Sequence, residues 1–125
     1  ALQLRTYHMM KPLREGVRRA HALGIPVATG TDGTYGDGDA TARIRVAHEI
    51  EELVKCGFTP LEAITAATAT AARLLGVETR TGTVKAGMEA DLLVVDRNPL
   101  EDTTTLFEPM LVVNNGEVVL NRIGL

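Results

Sequence analysis

A helical repeat that stops on a glycine and passes at once into an unbroken apolar run constrains this chain more than any other feature. Leu13, Val17, Ala20 and Leu23 recur at helical spacing behind Pro12, and Gly24 stands where a left-handed cap is wanted. The next four residues, Ile25-Pro26-Val27-Ala28, show no polar alternation, as expected of a strand covered by helices on both faces of a parallel sheet. Helix, glycine and buried strand in that order specify an α/β fold. The run continues into Thr29-Gly30-Thr31-Asp32, so the strand ends on a carboxylate, a rigidly placed anionic oxygen that can bind a metal or move a proton.

Two further helical patterns follow. Ile44, Ala47, Ile50, Leu53 and Val54 share one face before Gly57, and Thr59, Pro60 and Glu62 then form a capping box. In that box the threonine oxygen accepts from the backbone at the third helical position, proline fills the first position, and glutamate reaches back. Small residues (Ala63, Ala66, Ala67, Ala69, Ala71 and Ala72) carry this helix to Leu75, letting it lie close to neighbours, and Gly76 ends it. Beyond Gly82 the signal changes to strands. Residues 90–95 read as one, Asn98-Pro99 breaks it, and Asn114-Asn115-Gly116 joins a closing hairpin, since Asn-Gly tolerates positive φ. The chain accordingly divides into residues 1–76 and residues 77–125.

With 45% apolar and 23% charged residues, the chain can bury a core. Sixteen acidic and 13 basic residues are interspersed for a net charge of −3, leaving no basic stripe to neutralise a phosphate backbone, so nucleic acid is excluded as a partner. No apolar run approaches the roughly 20 residues of a membrane span, and no secretory pattern opens the chain, which makes a cytoplasmic setting the expectation. The lone Cys56, at the end of an amphipathic pattern, reads as a packing residue rather than a nucleophile.

Three blocks, in this order and spacing, resemble the C-terminal part of the metal-dependent amidohydrolase superfamily. They are Gly30-Thr31-Asp32; Gly57-Phe58-Thr59-Pro60-Leu61-Glu62-Ala63-Ile64 with Ala66-Ala67-Thr68 and Ala71-Ala72-Arg73-Leu74-Leu75-Gly76; and Gly82-Thr83-Val84-Lys85-Ala86-Gly87-Met88-Glu89-Ala90-Asp91-Leu92-Leu93-Val94-Val95-Asp96. Within the superfamily the spacing is most similar to the Xaa-Pro dipeptidase and imidazolonepropionase-like branch. Gly33, directly after Asp32, also resembles the aminohydrolase and chlorohydrolase branch. The implied fold is the C-terminal part of a TIM (β/α)8 barrel followed by strands of a small β-sandwich domain.

The resemblance implies that Asp32 is the last metal ligand of a site that hydrolyses C–N bonds in amides, dipeptides or cyclic amides. A divalent metal, zinc in the family pattern, would activate water, lowering its pKa from about 15.7 to about 7 in the best-known zinc case. Asp32 would take that water's proton and return it to the departing nitrogen, acting as base and then acid. The family's His-x-His pair, its bridging lysine or glutamate and its two later histidines have no counterparts in this sequence. A (β/α)8 barrel takes about 250 residues, and one barrel strand is legible here, so roughly seven are missing. Tight metal binding and turnover are therefore expected only of a complete enzyme, because a catalytic zinc site takes about three protein ligands.

The remaining titratable residues have plainer readings. His21, near a helix C-terminus, suits a capping or surface role; His48 sits beside Glu49 on an exposed-looking face; and His8 precedes the first legible helix. The loop after Asp32 carries Asp37 and Asp39, which repel phosphate, and lacks both the Walker lysine and EF-hand spacing. It is either a solvated turn or, with Gly33, Tyr35, Asp37 and Asp39, the rim of a substrate mouth at the C-terminal face of a barrel. Asp91 and Asp96 flank a strand and read as turn and register residues, while Glu49, Glu51, Glu52 and Lys55 read as a solvated helix face. The expected partners are a small-molecule amide or peptide substrate and the remainder of the barrel or a second copy, which unpaired strand edges would recruit. Deamination of a heterocycle and an inactive associating fragment stay open as alternatives.

Overall fold

The structure, a computed structural model, describes the backbone of residues 2–31 and 45–124, with side chains from residue 11 onward in the first stretch. Helix α1 spans Leu2–Ala22 and contains Pro12 in its interior. The helix thus begins well before the spacing behind Pro12 indicated, and it includes His8. Strong helix formers in residues 2–11 (Leu2, Gln3, Leu4, Arg5, Met9, Met10 and Lys11) sustain the turns that proline would otherwise end, and the ring itself lies exposed. At the other end, the Gly24 N–H donates to the His21 carbonyl (2.9 Å) and the Ile25 N–H to the Ala20 carbonyl (3.0 Å). This is the Schellman pattern, which satisfies the orphan carbonyls of the last turn.

Residues 25–30 form no strand. A parallel strand exists through its ladder, and no neighbouring strand stands beside this run among the described residues. Ile25 is 54% exposed as a result, although Val27 packs against the core. The run is held instead by helices. The Thr29 N–H donates to the Ala66 carbonyl at 3.3 Å, and the Gly30 N–H donates to Glu49 Oε2 at 3.3 Å.

Helix α2, Arg45–Lys55, buries Ala47, Ile50 and Leu53. Gly57, at φ +100°, reverses the chain so that the Phe58 N–H can reach the Leu53 carbonyl (3.2 Å) and its ring can enter the core. Helix α3, Pro60–Ala67, starts with both halves of the expected capping box: the Thr59 side chain accepts from the Glu62 N–H at 3.3 Å, and the Glu62 carboxylate accepts from the Thr59 N–H at 2.7 Å. The helix does not run unbroken to Leu75. It is interrupted at Thr68 (φ −126°, ψ −94°), whose hydroxyl donates back to the Ile64 carbonyl at 2.7 Å, and α4 resumes over Ala69–Leu75. Threonine back-bonding to the carbonyl four residues earlier is a known source of helix bending.

The core is the junction of these helices, where Ile50, Leu53, Cys56, Phe58, Ala63 and Ala66 are buried together. Ala63 is fully buried, so α2 and α3 can approach closely only because the side chain there is a methyl. Leu13, on the apolar stripe of α1, is 59% exposed, and α1 meets the core through Val17 instead.

The C-terminal region is an antiparallel meander of β1 (Leu92–Val94), β2 (Leu111–Asn114) and β3 (Glu117–Asn121), in that order. Leu92 pairs with Val113 and Val94 with Leu111. The hairpin turns at Asn115-Gly116, both at positive φ as the sequence indicated. Between β2 and β3 the register jumps from Val112↔Leu120 to Val113↔Val118, so Val119 is the extra residue of a bulge. A 3-10 turn, Thr103–Phe107, links the sheet to α2. The second layer of a sandwich and the other strands of a barrel are not among the described residues.

Candidate functional site

Asp32, with Gly33, Tyr35, Asp37 and Asp39 of the expected mouth loop, lies outside the described residues. What the structure defines is the approach to Asp32. Residues 25–31 leave the cap of α1, pass Phe58 and Ala66, and reach the side of α2, where Thr29 and Gly30 are tied to α3 and α2 by the bonds given above.

Beside this approach lies a shallow cleft lined by Pro26, Val27, Phe58, Glu62 and Ala66. His21 spans it, its ring stacked on Phe58 (centroids 3.9 Å apart, 23° between planes) and its Nε2 3.4 Å from Glu62 Oε1. The backbone and hydroxyl hydrogen bonds from Thr59 hold the Glu62 carboxyl below its ordinary range, and His21 adds to this. His21 therefore joins the end of α1 to the start of α3, a structural role close to the capping role expected of it. His48 contacts Phe107 (ring centroids 4.6 Å apart) and lies 3.7 Å from Glu51.

The acidic face of α2 is less solvated than its pattern indicated. Glu52 pairs with Arg14 of α1 at 2.6 Å and with Lys55 at 3.1 Å. Burial works to raise its pKa, but the hydrogen bonds from Lys55 and Arg14 outweigh it and the carboxyl titrates below its ordinary value. Glu49 caps the backbone of residue 30 from the same helix. Nothing in the sequence pattern singled Glu49 out, because its bond reaches across 19 residues to a main-chain amide. Its place beside the buried Ile50, on the flank of the core stripe, was the available hint.

Cys56 is 4% exposed, and burial pushes its thiol pKa up while Arg18 opposes the shift, the opposite of an activated nucleophile. Asp91 takes the turn role the sequence indicated, whereas Asp96, two residues past the end of β1, holds the 3-10 turn instead. Asp91 Oδ1 accepts from the Asn115 N–H at 2.8 Å and so pins the hairpin turn, and Asp96 accepts from the hydroxyl of the buried Thr105 at 2.7 Å.

No group of three or more His, Cys, Asp or Glu able to hold a metal ion occurs among the described residues. His21 and His48 are on different helices and are each engaged with an aromatic ring and a glutamate. No helix among the described residues is long and apolar enough to cross a membrane.

The order of these elements recurs in known proteins. The ochratoxinase of Aspergillus niger is 39% identical over 92 residues, covering 73% of this chain and 18% of its own length. A 5-methylthioadenosine/S-adenosylhomocysteine deaminase of Moorella thermoacetica is 36% identical over 85 residues, 64% of this chain and 20% of its own length. The crystal structure of a Xaa-Pro dipeptidase with methionine bound in its active site superposes with a TM-score of 0.73 at 30% identity, over 84% of this chain and 25% of that one. The chain thus spans about a fifth to a quarter of the length of these relatives. Residues 7–119, from within α1 to within β3, match the sequence profile of the Amidohydrolase family, and this chain belongs to that family.

Proposed function

We propose that this chain is the Asp32-bearing part of an amidohydrolase that cleaves C–N bonds in small amide or peptide substrates. The observation that carries the reading is the family match over residues 7–119, which takes in Asp32 and the helices that anchor the peptides before it. Likeness to a Xaa-Pro dipeptidase and to an ochratoxinase supports a hydrolase, with a dipeptidase-type substrate as the first class to test. Members of this family generally use a divalent metal, which activates water. Asp32 would be one ligand, its partners supplied by protein segments other than those described. Its carboxylate would accept a proton as the carbonyl is attacked and deliver it to the leaving nitrogen. The metal would be zinc; Gly33, Tyr35, Asp37 and Asp39 would rim the substrate mouth, and the barrel segment would end at residue 76, with the small sandwich domain following it.

A second reading, deamination of a heterocycle, is favoured by the likeness to the Moorella thermoacetica deaminase. Assay of the complete protein with Xaa-Pro dipeptides, N-acyl amino acids and adenine nucleosides separates the two, since the first reading releases an amino acid and the second releases ammonia. Under either reading, Asp32→Asn should lower kcat by at least about 10²–10⁴-fold with an unchanged circular dichroism spectrum. Wild-type turnover in that variant would falsify the role of Asp32.

A further inference from the structure

We propose that Asn115 is a deamidation site whose rate the fold holds down by gripping both N–H groups of the hairpin turn. The chain has four asparagines, and Asn115 is the one followed by a glycine, which has no Cβ to shield its nitrogen. Asn98 precedes Pro99, which has no N–H to give up, and Asn114 and Asn121 precede residues with longer side chains. In the reaction the Gly116 nitrogen gives its proton to a base and attacks Asn115 Cγ. The N–Cγ bond forms, the Cγ–Nδ2 bond breaks, and ammonia leaves carrying the proton that the base returns, closing a five-membered imide. Water then opens the imide at one of its two carbonyls, yielding aspartate or isoaspartate. The net change is one water consumed and one ammonia released, with no oxidation.

Both turn residues are exposed, at φ +49° and +83°, so water and base reach them. Their nitrogens are nevertheless held by the segment leading into β1. The Gly116 N–H donates to the Ala90 carbonyl at 3.0 Å, and the Asn115 N–H donates to Asp91 Oδ1 at 2.8 Å. The proton that must leave is therefore the one shared with Ala90. Its removal sets an anionic nitrogen against a carbonyl oxygen, so the attack waits for the turn to open locally. The Asp91 grip is charge-assisted, and its other oxygen, Oδ2, accepts from the Thr81 hydroxyl at 3.3 Å, which ties the clamp to the segment that follows α4. Once the amide has become an acid, residue 115 carries a negative charge beside the Asp91 carboxylate, and isoaspartate lengthens the main chain within a two-residue turn. Either product works against reclosing, which makes the turn a one-way timer for the β2–β3 hairpin.

The test incubates the complete protein at mildly alkaline pH and follows each asparagine by peptide mass spectrometry, beside a free peptide of residues 111–120. Asn115 in the peptide should convert at least about tenfold faster than in the folded protein, and denaturant should bring the protein to the peptide's rate. Asp91→Ala, which removes one half of the clamp, should speed conversion at Asn115 by about three- to tenfold while Asn121 keeps its wild-type rate. Thr81→Ala should act in the same direction by a smaller factor. Should Asp91→Ala fail to fold, Asp91→Asn, which keeps an acceptor oxygen without its charge, takes its place with an expected gain of at least about twofold. Asn115 staying intact in denaturant overturns the site. A folded-protein rate within about twofold of the peptide's, an Asp91 variant no faster than wild type, or an equal acceleration at Asn121 overturns the clamp.

Discussion

The helical junction and the C-terminal meander are built on different principles. At the junction, Ile50, Leu53, Phe58, Ala63 and Ala66 are each less than a tenth exposed, and the chain reverses sharply at Gly57 to bring them together. In the meander all three residues of β1 are exposed, and so are Val118 and Val119 of β3, at 57% and 59%. The sheet's order comes from its ladder, from the Asn115-Gly116 turn and from Asp91 holding that turn, rather than from a core of its own. The seam between the regions is loosely filled, with an apolar cavity of about 420 Å³ bounded by Val46, Ile50, Leu93, Phe107 and Val112. Burial makes the first region stable locally, whereas hydrogen bonding gives the second its shape without covering its apolar surface.

That contrast can be broken by measurement. Phe58→Ala should have the largest effect, about 3–5 kcal/mol by chemical denaturation, because it empties the core and removes the stack with His21. A loss below about 1 kcal/mol would mean that the junction is not the principal core. Next comes Gly82→Ala, at the point where the chain leaves α4 for the meander. An added Cβ would lie 2.5 Å from the Ala72 Cβ and 3.1 Å from the Thr68 carbonyl oxygen, at φ +90°. The expected cost is about 1–3 kcal/mol, and a neutral result would show that this joint is not packed.

Thr59→Ala should cost about 1 kcal/mol through loss of the cap on α3. The wild-type cap also has a pH signature. The pKa of Glu62 is lowered from its ordinary 4.5, chiefly by the Thr59 backbone hydrogen bond. Its stabilisation is therefore complete above pH 4.5 and is lost as pH falls from there through the lowered folded-state value. Thr59→Ala keeps the backbone bond and loses only the hydroxyl bond, so thermal melts between neutral and acid pH should show a slightly smaller decline than for wild type; the signature should vanish in Glu62→Gln, and a wild-type decline in that variant would contradict the coupling. The smallest effect belongs to the meander. Val118→Ala should stay within about 0.5 kcal/mol in this chain, and a cost several times larger would reveal a second core hidden by the sheet.

Much of this was legible from residues close together in sequence. The Thr59–Glu62 box, the Asn-Gly hairpin and the glycine that ends α1 involve partners two to five residues apart, so their chemistry is written side by side. Three features were not legible in this way. The run at residues 25–28 carries the composition of a buried strand, yet composition cannot supply the neighbours that make a ladder. Thr68 looks like any helical threonine until its hydroxyl turns back on Ile64. Glu49 looks like one acid among several until the fold brings Gly30 beneath it.

The order of helices, caps and turns followed from local propensity and spacing, because each depends on interactions along a few residues of chain, whereas the family-like setting of Asp32 followed from resemblance across three blocks of sequence. Which acids on α2 face solvent, which pair with Arg14 and which grips the approach to Asp32 was decided only by tertiary packing. Those partners lie 19 and 38 residues apart, and their meeting depends on how α1, α2 and α3 close around Phe58.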